Sequence, residues 1–314
     1  MTVALKQAPA ANEPGACSLC GSRSSWPLAY AAEVQFERDH GARLRAAGYT
    51  WNLCRTCGNG YPSFQPDLDT LSAYWARNRD VADRESEDQI WGNRKSMSQI
   101  GAERSFRIFS SLVDRKASRR FLDIACGLGA TVRKFHDEGW RAQGIDADPA
   151  MRRFHNEFGI ESQIGQIETV KLEGKFDLIQ VSHAIYFIAN PLRFLLLLKG
   201  YLAEKGVLAI VLADFMASDD HGMPGYPHSF FPTASSMRYL LALAGYRVTM
   251  CRALSGSLYL AAQPGPAALP RVHSWLIWLG YRTKSLRYAM IGRPKLAARG
   301  FAKAVLTKVF RDKF

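Results

Sequence analysis

Between residues 119 and 262, apolar runs of strand length alternate with segments whose apolar positions recur at helical intervals. The runs are "RFLDIAC", "RAQGIDA", "FDLIQVSH", "GVLAIVLAD", "YRVTMCRA" and "SLYLAAQ", with a shorter edge candidate in "IESQIGQIE". Strands alternating with helices predict an α/β fold, a doubly wound and mainly parallel sheet covered on both faces. In such a sheet ligands bind beyond the carboxyl ends of the strands. Upstream, residues 63–118 are polar with apolar positions at helical spacing, which predicts a connector of two or three surface helices. Residues 17–62 hold short strand-like runs between two CxxC pairs, and residues 1–16, rich in Ala and Pro, are expected to be flexible.

Composition narrows the classes. A chain of 314 residues that is 47% hydrophobic buries a large core and is not disordered. No apolar run reaches the roughly 18 residues of a membrane span, and "MTVALKQAPAANEPGA" lacks the apolar core of a secretory signal, so a cytoplasmic location is expected. Six cysteines in such a chain are free thiols or metal ligands before they are disulfides. Of the net charge of +13, residues 271–314 supply 11 − 1 = +10, with eleven Lys or Arg and only Asp312 as an acid. The protein is nearly balanced, with a basic tail over 265–314.

The stretch "FLDIACGLGATVRKF" places Asp123 at a strand end, followed by glycines at 127 and 129. Glycine permits positive φ and close backbone approach, so this turn can pass under a ligand as the next helix begins near Ala130. The dinucleotide fingerprint GxGxxG fits poorly, because its third glycine position is Val132. A second apolar strand ends at Asp146, seventeen residues after Gly129, where a carboxylate can accept both hydroxyls of a ribose.

In this order the pieces resemble class I S-adenosylmethionine-dependent methyltransferases, whose first motif reads like "LDIGCGTG". The resemblance covers about 119–262 and implies a methyltransferase domain over 119–264 built on a seven-stranded Rossmann-like sheet. It places Asp123, Ala125, Gly127 and Gly129 around the methionine part of S-adenosyl-L-methionine and Asp146, with Ala147, on the ribose. Gly165-Gln166 stands where the family often has Gly-Asp, which implies Gln166, beside Ile167, at the adenine; Ser182 completes the set. Ala125 departs from the usual glycine and narrows the turn.

"CSLCG" and "CRTCG" are two CxxCG knuckles, and four thiolates offered as two pairs match tetrahedral zinc. Cys17, Cys20, Cys54 and Cys57 form a closed set, so Zn2+ there is expected to be structural. The order of these knuckles, "NGYPSFQPD", the core and "PHSFFPTASSMRYLLALAGYRV" resembles bacterial methyltransferases with an N-terminal zinc-binding domain that act on sugars, cell-surface glycans and natural products.

Methyl transfer to a hydroxyl or carbon acid needs a proton acceptor. His183 follows the fourth strand, and Tyr226 and His228 lie in the loop "DDHGMPGYPHSFF" after the fifth. The family's "HVLEH" is "HAIYF" here, so only His183 carries over. Each histidine has an ordinary alternative, a hydrogen bond to the sheet edge or loop packing. Asp219, Asp220 and His221 are consecutive, their side chains diverge, and a solvated loop is the better reading. In the tail, Phe301, Ala302, Val305, Leu306, Val309 and Phe310 share one side of a predicted amphipathic helix, preceded by Trp275, Trp278 and Tyr281. That segment suits an anionic membrane surface, an ordinary packed helix with a solvated basic face, or RNA.

The expectation is therefore a methyltransferase acting on a small-molecule or lipid-linked sugar or glycoconjugate. The alternatives are a zinc-containing RNA methyltransferase and a cofactor-binding adaptor without turnover.

Overall fold

The computed structural model describes residues 15–28, 50–63, 87–114 and 118–287, apart from residues 150, 158, 168, 189, 214–227 and 231, together with residues 290, 291 and 294. Seven strands form one sheet: β4 (Arg120–Ile124), β5 (Arg141–Asp146), β6 (Ser162–Ile164), β7 (Phe176–Ser182), β8 (Leu202–Ala213), β9 (Tyr246–Leu254) and β10 (Ser257–Pro264). Their order is β6-β5-β4-β7-β8-β10-β9. β10 runs antiparallel to both neighbours, and the other pairings are parallel. Each expected run is a strand. β8 starts at Leu202, ahead of the apolar run, because helix α4 (Pro191–Tyr201) passes straight into it.

Alternation along each strand divides the core between two faces. Leu122, Ile124, Ile179, Val181, Leu208 and Ile210 face one side and pack with Phe194 and Leu198 of α4 and with Met237 and Leu240 of α5 (Ala234–Leu243). Phe121, Leu178, Ala209 and Tyr259 face the other. There Phe109 of α1 (Glu87–Phe109) and Phe135 of α2 (Ala130–Asp137) cover them. Phe135 stacks on Phe121 at 3.8 Å between ring centroids and meets Phe106 edge-on at 5.0 Å. The expected surface connector is thus, over its described part, one long helix whose last turns enter the core. A polar sequence hid this because Ala102, Phe106, Ile108 and Phe109, which carry the contact, stand among polar neighbours.

A three-stranded antiparallel sheet precedes it: β1 (Ser25–Leu28), β2 (Trp51–Cys54) and β3 (Gly60–Pro62), in that order. Cys17, Leu19, Cys54, Cys57 and Tyr61 of this module belong to the apolar cluster on the α4/α5 side, so module and sheet share a core. Helix α6 (Ser274–Arg287) closes the arrangement against β1 and β2. The expected amphipathic helix at 301–310, Asp219, Asp220, His221 and Tyr226 lie outside the described residues.

Candidate functional site

The strand order reverses at β4, with β5 on one side and β7 on the other, so a crevice opens at their carboxyl ends. The chain leaves β4 through Ala125, Gly127 and Gly129, all at positive φ (57°, 54° and 79°). Gly129 caps α2, and a Cβ there would sit 2.3 Å from Ile160. Gly127 meets no such obstacle, so only its backbone conformation requires glycine. Ala125 adopts the left-handed region without that freedom, which costs about 1 kcal/mol and marks the turn as held by its surroundings.

The turn is gripped at Gly127 from both sides. Its N–H donates to Asp146 Oδ2 at 2.7 Å, and the N–H of Asp148 donates to Asp146 Oδ1 at 2.8 Å. Its carbonyl lies 2.7 Å from Nε2 of His155, on helix α3 (Met151–Glu157). A carbonyl only accepts, so Nε2 carries the proton; in the neutral ring Nδ1 then accepts from the Ser162 hydroxyl, 2.7 Å away. His155 is buried. No sequence pattern marks it, because its partners are a main-chain carbonyl and a serine on the edge strand.

Asp123 lies buried below the turn. Burial pushes its carboxyl up to about 8; a bond from Gln180 Nε2 to Oδ1, at 3.4 Å, opposes this in part, and the Asp146 charge adds to it. Gln180 Oε1 is buried with no hydrogen-bond partner among the described residues. A carboxyl and a free amide oxygen side by side suit a cationic donor such as an ammonium group. Each Asp146 oxygen, with one N–H on it, keeps acceptor capacity for a ribose hydroxyl. At the neighbouring edge Gly165 N–H donates to the Asp146 carbonyl at 2.8 Å, which brings exposed Gln166 and buried Ile167 beside Asp146 and Ala147. The residues fit the cofactor that the turn implies.

One strand over, Ser182 ends β7 and His183 follows at φ 52°, its N–H bonded to Val211 O at 2.7 Å. His183 Nδ1 lies 3.2 Å from the Tyr186 hydroxyl, and the His228 ring packs 4.8 Å from the Tyr186 ring and 5.0 Å from Phe187. The structure brings the two histidines to one cluster, with Tyr186, which replaces the family's motif residue, at its centre. His183 is open to solvent on one side, yet desolvation by the protein on the other still lowers its pKa. A cavity of about 910 Å³ flanks the turn at Leu128 and Ala130, but it runs along α1, α2 and the end of α3, away from Asp146 and His183.

Residues 97–250 match the family model described as a methyltransferase domain. The chain carries a class I S-adenosylmethionine-dependent methyltransferase domain. Solved structures with similarity to it include a TehB-like S-adenosylmethionine-dependent methyltransferase from Corynebacterium glutamicum, at 16% identity over 59% of this chain and 99% of that one, TM-score 0.44. Another is a methyltransferase from Clostridium acetobutylicum, at 12% identity over 52% and 97%, TM-score 0.39. A third is the glycopeptide N-methyltransferase MtfA complexed with S-adenosyl-L-homocysteine, at 14% identity over 53% and 86%, TM-score 0.43. No curated protein matches the chain in sequence.

Away from the methyltransferase domain's turn, Cys17, Cys20, Cys54 and Cys57 converge with all four sulfurs within 4.8 Å of one another. Cys17 and Cys57 lie 3.6 Å apart and Cys20 and Cys54 3.5 Å, close to the roughly 3.8 Å between sulfurs on a tetrahedral zinc. Gly21 and Gly58, at φ 71° and 69°, turn each knuckle so that its N–H meets the first cysteine's carbonyl. Hydrogen bonds among the thiols pull Cys20 and Cys54 down and push Cys17 and Cys57 up, so the bare cluster resists holding four thiolates. A divalent cation removes that conflict.

Proposed function

We propose that this chain methylates a sugar or glycoconjugate, with S-adenosyl-L-methionine at the β4/β5 edge, His183 and His228 at the acceptor, and structural Zn2+ in the four-cysteine module. The observation that carries the reading is the placing of two imidazoles around Tyr186, one strand away from the Asp123–Gly127–Asp146 turn.

Asp146 accepts the ribose hydroxyls, Gln166 and Ile167 border the adenine, and Asp123 with Gln180 faces the methionine ammonium. S-adenosyl-L-methionine, when bound, supplies an electrophilic methyl group on a sulfonium. The remaining work falls to alignment and to one proton. For His183 to take that proton, Nδ1–H donates to the Tyr186 hydroxyl oxygen and the Nε2 lone pair faces the acceptor. Its lowered pKa keeps the ring neutral at pH 7 and ready to act as a base. His228 and Tyr226 position the acceptor. The sugar assignment rests on the cysteine-module resemblance together with this hydroxyl-directed base.

The test is transfer of labelled methyl to a panel of nucleotide sugars and lipid-linked sugars. His183→Asn is expected to keep cofactor affinity and to lower kcat by roughly a hundredfold, whereas His228→Asn mainly raises the acceptor's KM. Turnover on RNA alone, with binding that falls steeply in salt, would replace the sugar reading. Cofactor binding with no turnover on any acceptor would favour the adaptor.

A further inference from the structure

Helix α6 meets the cysteine module along one side only. Ser274 Oγ donates to Arg55 O at 2.7 Å, Ile277 lies where a Cβ on Gly58 would come within 2.4 Å, and Trp278 faces Trp26 at 6.3 Å. Tyr281 and Lys284, further along the same side, are buried. At about 100° per residue, Trp275, Leu279 and Leu286 share the opposite side, with Leu276 at its margin. These four are between 49% and 64% exposed. Met290 and Ile291, beyond the helix end, are exposed as well. Arg282 and Arg287 border the stripe on either side, and residues 271–287 contain no acid. The apolar stripe falls within residues 275–286, ahead in sequence of the 301–310 segment singled out by periodicity.

We infer that this face of α6 docks on the anionic headgroup surface of a phospholipid bilayer. A row of a tryptophan and three leucines in water is unfavourable, and the boundary between headgroups and acyl chains is where such a row is buried. The charge decides the occupant. Of the eleven basic residues against one acid over 271–314, Lys284 is buried on the module side, and the charge of the other ten complements anionic lipid. A second copy of the same face would set Arg282 and Arg287 against their like. Nucleic acid would use the basic and aromatic side chains but gain nothing from Leu276, Leu279 and Leu286. No described helix is long and apolar enough to cross a membrane, so α6 lies on the surface rather than spanning it. This docking does not depend on which acceptor is methylated.

Flotation of the full chain with vesicles tests it, using equal parts phosphatidylglycerol and phosphatidylcholine against phosphatidylcholine alone. The protein should float with the anionic vesicles, bind roughly tenfold or more weakly to the neutral ones, and lose binding as salt rises. The double variant Leu276→Glu/Leu279→Glu, changed only at exposed positions, should keep its melting temperature and lose at least about tenfold in vesicle affinity. Absence of flotation, or flotation that survives the double variant, overturns the assignment. So does light scattering that finds a lipid-independent dimer abolished by the same two changes.

Discussion

At the scale of single residues, the buried carboxyl of Asp123 has the most measurable consequence. Its pKa, about 8 in the fold against about 3.9 in an unfolded chain, means that the native state holds the proton more tightly. The sign follows: stability from this group is full below about pH 4 and is lost as pH rises through about 8. Thermal melting of the cofactor-free protein should therefore decline over that window, and Asp123→Asn should flatten the decline, a difference on the order of a few kcal/mol. Identical pH profiles for the two proteins would mean that Asp123 is not held as described. His155 gives a second reading. His155→Ala frees the Gly127 carbonyl and should weaken S-adenosyl-L-methionine binding roughly tenfold, with kcat at saturating cofactor little changed, because it acts through the turn rather than on the acceptor. A fall in kcat without loss of affinity would contradict that role.

At the scale of elements, the two turn glycines differ in what they tolerate. Gly127→Ala carries only the left-handed penalty of about 1 kcal/mol, whereas Gly129→Ala adds a clash with Ile160 and should cost more, which denaturant melts of the two variants will rank. The cysteine module should bind one zinc per chain by elemental analysis. Cys54→Ser or chelation should unfold β1–β3 and release α6 with them, since α6 rests on this module. A metal-free protein with unchanged melting would remove the zinc. These elements were legible in the chain to different depths. The central strands β4, β7 and β8 announced themselves because parallel strands buried on both faces are nearly continuous apolar runs, and the knuckles because CxxCG has few other uses. The last turns of α1 were not legible, since Phe106 and Phe109 among polar neighbours reveal burial only when Phe135 is seen against them. Asp123, Gly127 and Asp146 could be read from their places at strand ends. His155, Gln180 and the Tyr186 cluster could not, because what joins them is contact between residues far apart in sequence or a bond to main chain.

At the scale of the whole molecule, one sheet edge offers both a cofactor turn and a pair of imidazoles, and a cysteine module with α6 is built into the same structure. The module shares its apolar cluster with the α4/α5 side of the sheet, so loss of metal should reach the methyltransferase domain's melting as well as its own. Whether the β4/β5 edge holds S-adenosyl-L-methionine through Asp146 is decided by titration calorimetry of the full chain. One cofactor should bind per chain, and Asp146→Ala should lose more than about tenfold in affinity, or about 1.4 kcal/mol, with the fold intact by circular dichroism. Unchanged affinity in that variant, or binding of NAD in place of S-adenosyl-L-methionine, would contradict it.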